Sequence, residues 1–324
     1  EGSYYTIKEV WSPVYFERKE ITDAFDGKLN IENRYHFTNI NQCTFTWKLR
    51  KFGLRNIEEK DGTAVAPDVK PGEKGVLQLQ LPAEWKDYDV LYVTATDLYK
   101  RELFTWSFII SSPKRTGERM VVKEGNNTIN SSEADSLLTV SIKDVIVVFN
   151  KNNGLLVSAT NVSGHLPFNN GPVVQEAVNN FKGLKHYMDG NNLVIESVFD
   201  KKDSYNTIKW TVYPSGWIKL DVSYFPSAYF TNFAGINFSF PEKEIQSVTY
   251  MGNGPYRVWK NRMKGGQFGV WNKKYNATET GENPWIFPEF KGYYSNFYGG
   301  YFFTKNNRFA VVSDTEGMFL RLFT

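Results

Sequence analysis

The sequence contains one cysteine, three histidines and no long apolar run, and each scarcity excludes a class of site. Cys43 is alone among 324 residues, so an intramolecular disulfide is excluded, and a buried apolar role is expected for its thiol. Apolar runs stay far below the ~18 residues that a membrane-spanning helix needs, so no membrane partner is predicted. The net charge of +3 comes from 38 basic and 35 acidic residues with interspersed signs, and it predicts no nucleic-acid partner.

Metal, phosphate and nucleophile motifs are also missing. His36, His165 and His186 are scattered without an HxH or HExxH spacing, which argues against a zinc site. The acidic turn at 200–203 offers too few ligands for calcium. The chain has neither a P-loop nor a G-x-S-x-G elbow. The sequence therefore predicts no cofactor in this chain.

The first residue gives little information on targeting. The chain begins with Glu1 and shows no basic-apolar-small signal segment, so we expect a mature terminus or an excised fragment. The compartment stays open, with a periplasmic or secreted location favoured over a cytoplasmic one.

Alternation of apolar and polar residues is what the chain does have. Apolar side chains occupy every second position in 77–81, 138–142 and 208–212. A period of two is typical of half-buried antiparallel strands joined by short turns. The best helix candidate is Val173–Leu184, although Gly183 limits it. The sequence predicts an all-β protein.

A polar stretch at 111–136 predicts a domain boundary. The roughly 110 residues before it have strand and turn spacings of about ten residues, which is typical of an immunoglobulin-like sandwich. The roughly 200 residues after it have longer strands and wider loops, which indicates a large two-sheet sandwich. We therefore predict domains at 1–111 and 112–324.

Aromatic residues concentrate near the end of the chain, where 16 of the 54 residues in 250–303 are aromatic. The run opens with Gly252-Asn253-Gly254-Pro255, for which we predict a tight turn. Flat rings beside fixed donors suit a polyhydroxylated ligand such as a sugar, although a core corner of a large β-domain gives the same pattern. The candidate sugar-binding residues are Tyr256, Arg257, Trp259, Arg262, Trp271, Trp285 and Tyr293.

Acidic residues in the same run are candidates for glycosidase chemistry. A retaining glycosidase needs two carboxyl groups about 5 Å apart. Glu279, Glu282 and Glu289 are available, but solvated loop carboxylates are the favoured interpretation. We predict no catalytic set in this chain.

Two ordered motifs resemble a known family. The segment 252–262 resembles the G-x-G-P-x-x-x-Y-x-D-R signature of the last domain of large β-galactosidases of glycoside hydrolase family 2, and 286–293 resembles a later segment of that domain. Upstream, 10–15 and 29–39 are similar to the domain that follows the catalytic barrel. Because both units occur in the family's order, the resemblance covers essentially the whole chain.

The resemblance implies an architecture and a role. It implies an immunoglobulin-like sandwich at 1–111 and a galactose-mutarotase-like supersandwich at 112–324. The family's catalytic glutamates lie on a (β/α)8 barrel that would precede Glu1, and the sequence shows no βαβα alternation. The chain would then be a non-catalytic part of a retaining glycosidase. The implied partners are the preceding barrel, a β-galactoside-like carbohydrate and a second copy in a homo-oligomer.

Two departures from the family pattern concern specificity. Asn261 stands where the family has Asp, which removes an Asp–Arg contact beside Arg262. The family's Trp-Arg-x-Pro-x-Asp-Asn-Asp stretch is not evident around 172–180. Both departures bear on whether the parent enzyme cleaves β-galactosides specifically.

Two other functions stay open at this point. The aromatic run fits a stand-alone carbohydrate-binding module. A mutarotase-like or polysaccharide-lyase-like enzyme would need a positioned histidine, and His165 and His186 are the two in the second predicted domain. Whether the chain is itself an enzyme is therefore undecided from the sequence.

Overall fold

A computed structural model describes residues 2–17, 20–53, 56–174, 180–200, 205–224, 234–256, 263–274 and 293–322. These residues are mostly in antiparallel strands, which confirms the all-β class. Neither α-helix in this part of the chain is long and apolar enough to cross a bilayer. The helices are α1 Gly2–Val10 and α2 Pro113–Met120, with short 3-10 turns at Ile40–Gln42, Ala83–Asp87 and Glu242–Glu244.

The strands number 24 within the described residues. Their bounds are β1 Val14–Phe16, β2 Lys28–Asn33, β3 Thr44–Phe52, β4 Ile57–Ala64, β5 Lys74–Gln78, β6 Val90–Thr96, β7 Glu102–Ile109, β8 Ile129–Ala134, β9 Leu137–Ile142, β10 Val145–Asn150, β11 Leu156–Asn161, β12 Gly164–Leu166, β13 Asn169–Val174, β14 Phe181–Asp189, β15 Asn192–Phe199, β16 Tyr205–Val212, β17 Ile218–Tyr224, β18 Ile236–Ser239, β19 Ile245–Gly254, β20 Gln267–Lys274, β21 Tyr293–Tyr294, β22 Gly299–Thr304, β23 Arg308–Val312 and β24 Leu320–Arg321.

Contacts divide the chain into two compact units. The first unit combines residues 1–120, 247–302 and 310–324, and the second combines 121–246 and 303–309. The predicted domain limits at 1–111 and 112–324 stay a prediction.

A two-sheet sandwich forms the N-terminal part of the first unit. One sheet has the order β1-β2-β5 and the other β4-β3-β6-β7, with every pairing antiparallel. Leu29 and Leu77 from the first sheet meet Phe45, Leu49 and Leu91 from the second in one core, and all five are fully buried. The alternation of these strands directs one face into this core. Cys43 lies in the same core, as predicted, and burial raises the pKa of its thiol.

The second face of the four-stranded sheet also carries buried residues. Phe52 and Tyr92 pack in one cluster with Met251, Phe268 and Tyr298. The Tyr92 hydroxyl donates a 2.5 Å hydrogen bond to the carbonyl oxygen of Phe268, and burial raises the pKa of Tyr92 to about 12. Strands β19 and β20, which are neighbours in the sheet β20-β19-β22-β23, therefore pack directly on the sandwich, together with Tyr298 just before β22.

The second unit contains a larger pair of sheets. A seven-stranded sheet has the order β18-β13-β11-β10-β9-β8 with β12 beside β11, and a four-stranded sheet has the order β14-β15-β16-β17. Leu138 and Phe149 from the first sheet share a core with Ile195, Trp210 and Val212 from the second. Most neighbours in these sheets are consecutive in the sequence, as expected for hairpins.

The helix predicted at Val173–Leu184 is wrong for every one of its residues that the structure describes. Val173 and Val174 end β13, and 181–184 begin β14, while 175–179 lie outside the described residues. Strand β14 pairs with β15 from Phe181 to Asp189, and this cross-strand pairing overrides local helix propensity. The polar stretch at 111–136, for which we predicted a domain boundary, contains helix α2.

Candidate functional site

The segment that resembles the family signature begins at the end of β19. Gly252, Asn253 and Gly254 are strand residues that pair with 267–269 of β20. The prediction that these glycines form a tight turn is therefore wrong, because the strand continues through Gly254 and the chain bends at Pro255 and Tyr256.

The glycines are needed for close packing. A Cβ atom on Gly254 would lie 2.7 Å from Cδ1 of Trp271 and would also meet the hydroxyl of Tyr250. A Cβ atom on Gly252 would lie 3.0 Å from the carbonyl oxygen of Ser295. The absence of side chains lets the Trp271 ring lie on the strand, where its Nε1 donates a 3.1 Å hydrogen bond to the carbonyl oxygen of Gly252.

A buried polar network holds the end of β19. The backbone N–H of Asn253 donates to the carbonyl oxygen of Ser295 at 2.9 Å, and its Nδ2 donates to the Ser295 hydroxyl at 2.9 Å. The Tyr250 hydroxyl donates to the carbonyl oxygen of Asn253 at 3.2 Å, and the Tyr250 ring lies 4.3 Å from that of Tyr294. Burial raises the pKa of Tyr250. These contacts fix the strand end, because buried polar groups stay paired.

Helix α1 contacts both flanks of residues 257–262. On the N-terminal flank, the rings of Tyr5 and Tyr256 are stacked with centroids 5.3 Å apart and an interplanar angle of 19°. On the C-terminal flank, the carboxylate of Glu9 accepts from Lys264 Nζ at 2.7 Å and from the backbone N–H of Gly265 at 2.5 Å. The Thr6 hydroxyl donates to the carbonyl oxygen of Lys264 at 3.0 Å.

The structure places only some of the predicted sugar-binding residues. Tyr256 is 4% exposed, and Trp271 is half-buried on β20. Tyr293 opens β21, but its side chain is outside the described residues. The sugar-binding surface stays a prediction. The following predicted residues also lie outside the described part of the chain: Arg257, Trp259, Asn261, Arg262, Glu279, Glu282, Trp285 and Glu289.

Three residues of α1 that frame this segment were not predicted from the sequence. Tyr5, Thr6 and Glu9 all contact it, and none of them belongs to the signature. Tyr5 and Glu9 are four residues apart, which places them on one helix face. This i, i+4 spacing is the signal available in the sequence. A segment of nine residues is too short for the spacing alone to identify a helix.

A histidine–carboxylate pair lies in the second unit. His186 Nε2 is 2.8 Å from one carboxylate oxygen of Glu133, and Lys151 Nζ is 2.5 Å from the other. Hydrogen bonds from Lys151 and then His186 lower the pKa of Glu133. His165 is exposed on β12. Among the described residues, no group of three or more His, Cys, Asp or Glu side chains could hold a metal ion.

The second unit also has an open depression of about 380 Å³. It lies between the β14–β15 turn, the β16–β17 turn and the segment before β8, and neither histidine lines it. Its lining residues are Lys123, Glu124, Gly125, Asp189, Gly190, Asn191, Asn192, Tyr213 and Pro214.

Comparison with known families matches two parts of the chain. The family described as "Beta-galactosidase, domain 4" matches residues 29–106, and the family described as "Beta galactosidase small chain" matches residues 169–293. A search of curated proteins gives no match. The two matches follow the order of the two motifs, and together they cover more than half of the 324 residues. Both matched families are β-galactosidase domains, which indicates that the chain is a C-terminal region like that of the β-galactosidases of glycoside hydrolase family 2.

Proposed function

We propose that the chain is a non-catalytic part of a family 2 β-galactosidase-like enzyme. In this role it supports the catalytic barrel that precedes it in the parent polypeptide, and it contributes one wall of the carbohydrate cleft. The two ordered family matches support the parentage. The antiparallel pairing of the described sheets supports a non-catalytic role, since the family's barrel needs parallel strands alternating with helices.

The finer fold assignments belong to the same proposal. A sandwich of three and four strands is the basis for calling 1–111 an immunoglobulin-like domain. Sheets of seven and four strands around one core are the basis for a galactose-mutarotase-like supersandwich within 112–324.

The double anchoring of the signature segment carries the cleft-wall proposal. Asn253 and Ser295 fix one flank inside the protein, and Glu9 fixes the other through Lys264 and Gly265. A binding surface gains affinity when its supporting residues are held before the ligand arrives. Residues 257–262 lie between these anchors in the sequence, so we assign Trp259 and Arg262 to the carbohydrate cleft.

Steady-state kinetics of the parent polypeptide test this assignment. We expect Trp259→Ala and Arg262→Ala each to raise KM for an aryl β-galactoside about tenfold, the size expected for one lost contact of about 1.4 kcal/mol. Phe37→Ala is the matched control, because this ring is 97% exposed on a loop of the sandwich. Unchanged kinetics in both variants would remove the cleft wall from the proposal.

A mutarotase-like activity is the second candidate, because His186 and Glu133 form the histidine–carboxylate pair that such chemistry needs. The lowered pKa of Glu133 and its contact with Lys151 argue for a structural ion pair, since a weakly basic carboxylate is a poor proton acceptor near neutral pH. Polarimetry of α-galactose with the purified chain decides between a mutarotase site and a structural ion pair. We expect mutarotation at its spontaneous rate, both with this chain and with its His186→Asn variant. Acceleration that this variant abolishes would establish the second candidate.

A stand-alone carbohydrate-binding role is tested by titrating the chain with galacto-oligosaccharides. If the cleft is completed only in the parent polypeptide, we expect no change in tryptophan fluorescence at millimolar sugar. Saturable quenching in this chain alone would favour an independent binding module.

A further inference from the structure

Helix α1 has one face that is fixed to the first unit. Tyr5, Thr6 and Glu9 make the contacts to Tyr256, Lys264 and Gly265 described above. Lys8 forms a 2.8 Å ion pair with Glu102 of β7. These four residues lie within one and a half turns of the helix, and their contacts fix which side of α1 faces the first unit.

The opposite side of α1 carries an exposed apolar stripe. Tyr4, Ile7 and Trp11 are spaced i, i+3 and i+7, and their exposed fractions are 64%, 47% and 78%. The N–H of Trp11 donates to the carbonyl oxygen of Ile7 at 2.9 Å, so the helical turn continues through Trp11. This spacing is the pattern that a surface helix normally buries against its own domain. Here the fixed face prevents the stripe from turning inward.

The chemistry of the stripe favours an uncharged partner surface. The two ionic groups of α1 that lie nearest, Lys8 and Glu9, already have partners within the first unit. A contiguous set of large apolar side chains exposed on one element marks an interaction site more often than scattered apolar residues do.

The family match points to the partner. Residues 29–106 match domain 4 of β-galactosidases, and α1 precedes the matched residues, on the side of the chain where domains with lower numbers would be joined. We propose that the stripe formed by Tyr4, Ile7 and Trp11 is the docking surface for the domain that precedes α1 in the parent polypeptide. This inference rests on the proposed function, in which that domain is the catalytic barrel.

The size of the stripe argues against a second copy as the partner. Tyr4 and Trp11 together bury at most roughly 500 Å², and Ile7 adds less than either ring. A stable complex between separate chains buries about 800 Å² on each partner. A domain joined through α1 itself needs less area, because the linkage gives an effective concentration in the millimolar range.

Hydroxyl-radical footprinting with mass spectrometry tests the proposal side chain by side chain. We expect the labelling of Tyr4 and Trp11 to fall at least threefold in the parent polypeptide relative to this chain alone. Phe37, on a loop of the same unit, is the internal control and should be labelled equally in both proteins. Equal labelling of Tyr4 and Trp11 in the two proteins would overturn the proposal.

Two further outcomes would also overturn it. Protection of Trp11 that appears in this chain alone and increases with protein concentration would identify a second copy as the partner. A parent polypeptide without a preceding domain would leave the stripe without its proposed partner. Activity of the parent is measured separately, so exposed Tyr4 and Trp11 in an active parent would refute the docking surface while leaving the proposed function intact.

Thermal unfolding of a variant supplies a second readout. Trp11→Ser should lower the Tm of the parent polypeptide by several degrees and leave the Tm of this chain within about one degree, because the stripe would be buried only in the parent. Phe37→Ser is the matched control and should leave both values unchanged. Equal effects of Trp11→Ser on both proteins would contradict the docking surface.

Discussion

The first unit joins segments that are far apart in the sequence, whereas the second is built mainly from strands that follow one another. Tyr92 bonds to Phe268, and Tyr298 bonds to the carbonyl oxygen of Ser111. In the second unit, β8 to β11 and β14 to β17 form two series of hairpins. The segment with the family signature lies in the first unit, where distant parts of the chain meet.

The difference teaches where single side chains matter most. The Tyr92 and Tyr298 hydrogen bonds that join distant segments of the first unit are buried, and the same unit contains an ionic cluster around the fully buried Asp89. The corresponding ionic cluster of the second unit, around Glu133, is solvent-exposed. Because buried polar groups lose their hydration and depend on their partners, we expect larger effects from changes in the first unit.

Removal of the buried carboxylate should have the largest effect. Asp89 is fully buried and accepts hydrogen bonds from Arg119 at 2.6 Å and from the backbone N–H of Phe52 at 2.7 Å. Asp89→Ala removes the acceptor that both donors share and leaves the Arg119 charge without its carboxylate, so the free energy of unfolding should fall by about 3–5 kcal/mol. Chemical denaturation measures this value. Glu133→Ala is the matched change in the second unit and should have little effect, because water replaces the lost partner. Similar losses in both variants would break the comparison.

A methyl group at Gly254 should have the second largest effect. Its Cβ would lie 2.7 Å from the Trp271 ring, so Gly254→Ala should destabilise the protein by about 1–3 kcal/mol through overpacking. Gly183 on β14 has no atom within 4 Å of its Cβ position. Gly183→Ala is therefore the control from the second unit and should be neutral or slightly stabilising. Denaturation midpoints that shift equally would show that the space around Gly254 is not restrictive.

Loss of one buried hydrogen bond should have a smaller effect. Tyr92→Phe removes the donor to the carbonyl oxygen of Phe268 and should reduce the free energy of unfolding by about 1 kcal/mol. Tyr187, whose hydroxyl donates to Glu196 on the exposed side of β14, provides the control. Tyr187→Phe should leave the denaturation midpoint unchanged. A larger effect at Tyr187 than at Tyr92 would reverse the predicted order.

The smallest effect should appear as a pH dependence in the second unit. Lys151 and His186 lower the pKa of Glu133 below its ordinary 4.5, so folding favours the ionised form. The resulting stabilisation is present above pH 4.5 and is lost as the pH falls through the folded-state pKa. Glu133→Gln should therefore lower the Tm slightly near pH 7 and leave it unchanged in strong acid. A difference between the two proteins that grows as the pH falls would have the wrong sign.

The sequence predicts the strands of the second unit better than the contacts of the first. The alternation in 138–142 and 208–212 predicted two strands that the structure contains, because alternation directly reflects one buried face. The helix predicted at Val173–Leu184 failed because pairing of β14 with β15 dominates there. The turn predicted from the glycines of 252–255 also failed. Gly252 and Gly254 lie in a strand, where the absence of side chains allows close contact with Ser295 and Trp271.

The frame of the candidate site was not predictable from local patterns. Glu9 and Gly265 are 256 positions apart, and neither residue belongs to the signature. Contacts of that separation depend on how whole elements pack, which a single sequence does not encode in any short window. The family resemblance supplied the identity of the segment, and the structure supplied the residues that hold it.

Turnover by the isolated chain tests the central claim most directly. The purified 324-residue chain should hydrolyse an aryl β-galactoside no faster than buffer, while a parent polypeptide that includes the proposed barrel should show enzyme-like turnover under the same conditions. Enzyme-like turnover by the isolated chain, above about 1 s⁻¹, would contradict the assignment of the chain as a non-catalytic part of the enzyme.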